Sequence, residues 1–599
     1  MKTLIFLLTL ILATAQAGAA VIGFGGGTHT SLASAIAAGS NGDTFLCLQN
    51  YTDPMTTGII TGLTGCTLDF GEHTALFPDC TPDNVPVLKI TGSGWTVKNG
   101  VMQVVTAPPL WLYGTTAIIE DVEFEIEGAL GYEPFLFGSG TTSVSFSRCK
   151  FSRDIGEPDS RYIISDHRGI NLTLTDCFFS GGSGHVQVAV SAADLVVTRC
   201  EFEKVHWRAL RLTLGGVATI TESTFEKDGQ YTTEAVLVET PAGVHEILID
   251  GCTFTNTKLV CEASGNVAQG SGLTIQDCTF NGGEAAAALV RTNDAIISGC
   301  TFYGGLDENW HGLLLGSDSG YDVGDATAAD SPTVYDCTWN LTIMPPSSTG
   351  GAYLPIVCKT NGLNFYDNEI TYSAAPPAGL TEMCFISLRS ASEADIHNNT
   401  FTGNDADIQA IRLSSQTASD SCDVIVIANN KVLGTYESAV HYQQWAGMAS
   451  DHNISVASNY WASGTIFSDS DAGQSDATEE TWWGTFNTTD SESWYLKWAG
   501  LTGLTGISGT PEGFVEMGLN PTISDPIVGH QQLGFTTPIE ALARCRELGL
   551  EGVELSMTSS IADSMNLNIW LWDVHPASGA ATWATHATDT TRIIGVLAP

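Results

Sequence analysis

The hydrophobic positions of this chain recur in one short unit. An apolar residue, two further positions, then Cys or Asn, one spacer and a second large apolar residue repeat from residue 146 onward. The first copies are Phe146/Cys149/Phe151, Leu174/Cys177/Phe179, Val197/Cys200/Phe202, Ile220/Ser223/Phe225, Ile249/Cys252/Phe254, Ile275/Cys278/Phe280, Ile297/Cys300/Phe302 and Val334/Cys337/Trp339. Asn takes the Cys place in Phe365/Asn368/Ile370, Ile396/Asn399/Phe401, Ile427/Asn430/Val432 and Val456/Asn459/Trp461, and weaker copies lie at 97–102 and 119–124. Eleven intervals separate Cys149 from Asn459 over 310 residues, a mean period of about 28. That is too short for a propeller blade, and no helical periodicity separates the apolar runs. A coil of two or three short strands per turn fits, each turn stacking on the next as parallel strands ~4.8 Å apart. The copies predict an all-β solenoid of about 14 rungs.

Stacking also explains the Cys and Asn column. Equivalent positions of successive rungs lie above one another, so an inward polar residue must find its partners within the stack. Asn does this through amide ladders, and Cys fills a corner as a small, readily buried side chain. The column cysteines therefore read as structural, and no C-x₂-C pair suggests a zinc ribbon. Outside the column, Cys66 with Cys80 and Cys358 with Cys384 are candidate disulfides.

These repeats resemble the right-handed parallel β-helix repeats of the pectin-lyase-like superfamily. The segment from Ser34 through Ile36, Gly42, Asp43 and Thr44 to Leu46 is similar to the short capping helix and first strand that open such proteins. The resemblance covers roughly residues 28–461. It implies the fold but not one activity, because lyases, hydrolases, epimerases, tailspikes and adhesins share it. The Asp-Asp pair and Gly-His-Gly of the superfamily's galacturonan hydrolases are absent, which argues against that assignment.

The ends of the chain have other characters. Lys2, the apolar run Leu4–Leu12 and the small residues closing at Ala15 and Ala17 predict a secretory signal peptide over 1–19. No later run is long enough to span a membrane. The β-helix is expected over 20–461, an acidic Ser/Asp-rich linker over 462–480, and a Trp-rich mixed region over 481–599. In that last region Thr537, Pro538 and Glu540 form a capping-box signal for a helix stopping at Gly549. Its tryptophans, Trp482 and Trp483 among them, either stack on sugar rings or form the core of a cap over the last rung.

A net charge of −43 disfavours nucleic acid as a partner and leaves a cation such as Ca²⁺ acceptable. With Ile163, Leu210, Val236, Leu259, Ile356 and Ile411 set inward on one strand per rung, the residue three further on faces outward. That column reads Asp166, Ser191, Thr213, Glu239, Glu262, Arg291, Lys359 and, with one residue of slip, Arg389; Arg211 projects from the same face, and His167, Arg168 and His206 lie in adjacent turns. Glu239 over Glu262 would need a cation, either Ca²⁺ or Arg291. By resemblance to pectate-lyase-like sites, Arg291 and Lys359 would then be catalytic candidates and Arg211 a substrate contact. A solvated ladder of ion pairs is the plainer reading of the same residues. A second Ca²⁺ candidate is the insertion carrying Asp318, Asp322 and Asp325, which equally reads as an acidic surface loop.

Three functions stay open at this stage. One is binding or presentation of an extracellular polysaccharide or cell-surface glycan. Another is a calcium-dependent polysaccharide lyase. The third is a coat or fibre subunit that associates through outward apolar residues such as Leu237, Val260 and Leu289.

Overall fold

The computed structural model describes residues 19–469 apart from gaps, the longest being 78–84, 128–133, 155–161, 228–235, 263–269, 317–330, 416–421 and 445–453, and beyond them five strands between 515 and 596. It comprises two compact units, residues 1–281 and 282–599. The chain is a right-handed parallel β-helix.

One coil of the first unit shows how the repeat folds. Asn171–Thr175, Phe178–Ser180 and Gly184–Val188 are three strands, and each pairs in parallel with its counterpart one coil later: Leu195–Thr198, Glu201–Val205 and Arg208–Thr213. Three stacks of strands result, called here first, second and third by their order within a coil. The third stack holds nine strands in the first unit, from Ile59–Thr61 to Leu259–Glu262. It holds seven in the second unit, from Ala286–Val290 to Thr465–Asp469.

The repeated sequence unit is the corner between the first and second stacks. Leu174 ends the first strand on its inner side, Asp176 turns the chain with φ of 55°, Cys177 fills the corner and Phe179 points inward from the second strand. The same left-handed turn recurs at Arg148, Arg199, Glu222, Asp277, Asp336, Asp367 and Asn398. Asp and Asn tolerate this conformation; for other non-glycine residues it costs about 1–2 kcal/mol. Across successive corners the signs of Asp121, Arg148, Asp176 and Arg199 alternate. Arg148 donates to both oxygens of Asp121 at 2.6 and 2.7 Å, and Arg199 to both oxygens of Asp176 at 2.7 and 3.0 Å.

Inside the coils, like sits on like. Phe151, Phe179, Phe202, Phe225, Phe254 and Phe280 stack with centroids 4.5 to 5.1 Å apart and planes within 13° of parallel. In the second unit Asn368, Asn399, Asn430 and Asn459 form the expected ladder. Each Nδ2 donates to the Oδ1 of the next Asn at 3.1, 2.9 and 2.9 Å, and that same oxygen accepts the preceding backbone N–H. Column cysteines satisfy the corner differently: the Cys177 thiol donates to the carbonyls of Thr175 and Phe146.

The thirteen described cysteines are all buried free thiols. This corrects both candidate disulfides. Cys358 lies opposite Leu388 and Cys384 opposite Gln409, so the two cysteines occupy different heights of the third stack. Burial pushes each of these two thiols up to about 12. Cys66 is a free thiol that donates to the Ser40 carbonyl, while Cys80 lies outside the described residues.

At the N-terminal end, strand Val21–Phe24 pairs with Thr44–Cys47, and helix Leu32–Ala38 lies between them in sequence. A reciprocal capping box of Ser31 and Ser34 starts the helix, and the Leu32 N–H donates to Asp53 at 3.1 Å. Toward the other end, Thr465–Asp469 pairs with Ser438–Gln444, so the third stack runs into the stretch 462–480 expected as a linker. Farther on, the backbone forms an antiparallel sheet ordered Val515–Glu516, Leu567–Trp572, Gly552–Met557, Arg592–Val596, Thr582–Thr585. The helix expected at 537–549 lies outside the described residues.

Candidate functional site

The third stack places every described charged candidate, and its outward positions are set by the inward apolar column. In the first unit Leu210, Val236 and Leu259 are in register, so Thr213, Glu239 and Glu262 stack in one row. Asp166 does not join that row. Ile164, not its apolar neighbour Ile163, pairs with Val186 and through it with Leu210, which sets Asp166 beside Val188 and Leu212. Two adjacent isoleucines left the period-two alternation ambiguous by one position.

Glu239 is neutralised within its own unit. Arg211, one coil earlier, brings Nη2 to 3.1 Å from the Glu239 carboxylate, and both side chains are largely withdrawn from water. Arg208 and Arg211 also face the Tyr162 hydroxyl, whose ionisation burial pushes up and the two guanidiniums oppose. Arg291 belongs to the second unit, so the expected grouping of Glu239, Glu262 and Arg291 divides between the units. Among the described residues no three His, Cys, Asp or Glu side chains come together to hold a metal ion. Ser191, His167, Arg168, His206, Asp318, Asp322, Asp325, Trp482 and Trp483 lie outside the described residues.

In the second unit the inward column runs Ala288, Leu313, Ile356, Ile386, Ile411 and Val440. Three residues further on come Arg291, Gly316, Lys359, Arg389 and Ser414, so Arg389 falls in the row without any slip. Gly316 has φ of +98°, and a side chain there would press on the Lys359 backbone at 3.0 and 3.1 Å. Its carbonyl accepts from Arg291 Nε at 3.1 Å.

The densest chemistry lies one row over and was not foreseen. Arg389 Nη2 approaches one oxygen of Glu382 at 2.8 Å, and Arg412 Nη2 approaches the other at 2.9 Å. Arg389 also donates through Nε to Ser387 Oγ at 3.3 Å, and Arg412 reaches Gln409 Oε1 at 3.5 Å. His441 pairs in register with Arg412. Burial, then Arg412, lowers its pKa to about 4. His311, beside Arg389 and Lys359, is lowered to about 3 by burial and then by those two cations. Both imidazoles are therefore neutral donors or acceptors near neutral pH. Lys359, Arg389, Arg412 and His441 are each buried.

Arg412 follows Ile411 as Arg211 follows Leu210, one position after the inward residue. The rule that identified Arg211 would have found Arg412 after Ile411 and His441 after Val440. The outward apolar residues Leu237, Val260 and Leu289 are also buried, so they offer no exposed association surface.

A further recess in the first unit is an open groove of about 600 Å³ lined by Glu72, Asn99, Asp121, Glu123, Arg148 and Lys150. Four of its charges pair among themselves, Arg148 with Asp121 and Lys150 with Glu123.

A family described as a right-handed beta helix region matches residues 187–341. Among solved structures, tailspike protein 3 of bacteriophage CBA120 is similar at 10% identity and a TM-score of 0.24, over 78% of this chain and 59% of that one. The receptor-binding protein of bacteriophage Det7, a podoviral tailspike in a myovirus, is similar at 12% identity and a TM-score of 0.17, over 78% and 79%. The chain thus spans about three fifths of the CBA120 protein, 59% of its length. No curated protein matches the chain.

Proposed function

We propose that this right-handed β-helix repeat protein is exported and binds an acidic extracellular glycan at the third strand stack of its second unit, where the 23% exposed Glu382 side chain is the part of the cationic cluster that meets solvent. The observation that carries the reading is the convergence of Arg389 and Arg412, from successive coils, on Glu382, with Lys359 in the row beside Arg389. The whole chain has only 23 Lys and Arg against 66 Asp and Glu, so three cations gathered on one stack are a departure from its average composition. Guanidinium forks recognise carboxylates and sulfates with bidentate geometry. Glu382 holds both forks in a fixed orientation, which lowers the entropy lost when a ligand anion engages them. The signal-peptide pattern at residues 1–19 supports export.

A second reading, β-elimination on the same glycan, draws on Lys359 standing beside Arg389 in the outward row. An unprotonated amine there would take the proton next to a uronate carboxylate while the guanidinium neutralises that carboxylate, and the glycosidic oxygen on the adjacent carbon would leave as the C=C bond forms. Electrophoresis of the mature protein through gels containing acidic polysaccharides, with Ca²⁺ and with EDTA, tests binding. Ultraviolet absorbance of an unsaturated uronate in the same mixtures tests cleavage. Retardation without absorbance supports binding alone, and absorbance supports the lyase reading. Neither signal on any acidic polymer removes both.

A further inference from the structure

We propose that Tyr335, Tyr366 and His397, on the outward face of the first strand stack in the second unit, form a second glycan strip, one that takes a neutral polysaccharide lying along the coil axis. The inference rests on the glycan-binding reading but uses none of the residues of the cationic cluster.

The three rings occupy one register position in three successive coils. Their centroids are 5.3 and 5.2 Å apart and their planes 4° and 9° from parallel. Each is only half-buried, whereas the preceding residues Val334, Phe365 and Ile396 are in the core. The rings therefore stand outward and turn their polar tips to solvent.

Two polar rows flank the stack on the same coils. Thr333, Asn364 and Asp395 lie two residues before the rings, on the same face, and Asp336, Asp367 and Asn398 follow them at the left-handed corner. His397 Nδ1 lies 3.1 Å from an Asp395 oxygen. Desolvation raises the Tyr366 phenol, with further contributions from Tyr335, Asp367 and Asp336, so it remains a hydrogen-bond donor. Each tyrosine coil thus offers a donor tip with a carboxylate or amide next to it, and the third coil an imidazole paired with Asp395, a pattern that suits the hydroxyls of a sugar ring.

The stack ends on small residues, Ser298 before Tyr335 and Ala428 after His397. No ring continues it over the outer face of Tyr335. Ile296, on the same strand as Ser298 and the same face, is 39% exposed. An aromatic face beside an exposed aliphatic side chain suits the apolar face of a pyranose. The coil repeat of ~4.8 Å is similar to the advance of one sugar ring in an extended polymer, so successive rings can meet successive coils.

Charge selects the class of occupant. Asp336, Asp367 and Asp395 line the strip of a chain whose net charge is −43, and an acidic polymer would be repelled there. A neutral polyol meets those carboxylates as acceptors.

The test is affinity electrophoresis of the mature protein in gels containing hydroxyethyl cellulose, xyloglucan or galactomannan, with hyaluronan and chitosan as charged controls. Retardation by at least one neutral polymer is expected. It should weaken about tenfold or more in Tyr335→Ala and in Tyr366→Ala, persist largely in Tyr335→Phe, which keeps the ring stack, and be unchanged in Lys431→Gln, an exposed position on another strand of the same unit. Circular dichroism melts of each variant separate lost binding from lost folding. Three results would overturn the strip: no retardation by any neutral polymer, retardation indifferent to both tyrosine substitutions, or retardation confined to chitosan. Retardation by hyaluronan alone that requires Arg412 would overturn the strip while supporting the acidic-glycan site.

Discussion

Arg389 and Arg412, on adjacent coils of the third stack, bind opposite oxygens of one carboxylate, that of Glu382, at 2.8 and 2.9 Å. Both guanidiniums are more than nine-tenths withdrawn from water, and the carboxylate is about three-quarters withdrawn. Breaking such a cluster from one side strands charge in a poor solvent, and removals of this kind cost about 3–5 kcal/mol. Glu382→Gln should therefore lower stability by about that amount, read from urea unfolding. A loss below about 1 kcal/mol would mean that water screens the cluster far more than its burial indicates.

Acid should weaken the second unit through its histidines. His441 is held at about 4 and His311 at about 3, against an ordinary value of ~6.5. A base whose folded pKa is depressed binds its proton more readily in the unfolded chain. The stability it contributes is present above about pH 6.5 and is lost as pH falls, and His441 stops contributing to the slope below about pH 4. Each histidine supplies at most about 1.4 kcal/mol per pH unit within its window. Melting temperatures of the wild type and His441→Asn between pH 7 and pH 4 should converge toward acid; parallel curves would show that His441 titrates normally.

The Asn ladder makes a sharper stability prediction. Asn399 donates to Phe365 O, His397 O and Asn430 Oδ1, and its own oxygen accepts from Asn368 N and Nδ2. Asn399→Ala leaves several buried polar groups without partners, each costing about 1–3 kcal/mol. It should destabilise the protein by more than about 3 kcal/mol in denaturant unfolding. A cost near that of an exposed substitution would mean that the ladder is incidental to the coil.

At the left-handed corner, Glu222 holds φ of 51°. Replacing it with Gly relieves backbone strain of about 1–2 kcal/mol, partly offset by greater freedom of the unfolded chain. Glu222→Gly should raise the melting temperature slightly. Arg199→Gly should gain less or lose, because it also removes the two bonds to Asp176. Equal shifts in the two variants would show that the Arg199–Asp176 pair contributes nothing.

The repeat was legible because stacking forces one residue type into each corner: Cys177, Cys200 and Asn399 announce the coil wherever they occur. The corner turn itself was hidden, since Arg148, Arg199 and Glu222 adopt a conformation that their residue types do not advertise. The candidate site was half legible. Glu239 and Glu262 stack as their spacing implies. Asp166 was displaced by one position because Ile163 and Ile164 are equally good core residues. Glu382 was invisible for another reason: it lies seven residues before Arg389, and only long side chains running back along the sheet close that distance.

Retardation of the mature wild-type protein and of Arg389→Gln plus Arg412→Gln in gels containing acidic polysaccharides, at low and moderate salt, decides whether the arginine cluster binds glycan. The wild type should be held by at least one such polymer, salt should weaken the retention, and the double variant, shown by circular dichroism to be folded, should migrate freely. A wild type that passes every acidic polymer unretarded, or a folded double variant held as strongly as the wild type, would contradict it.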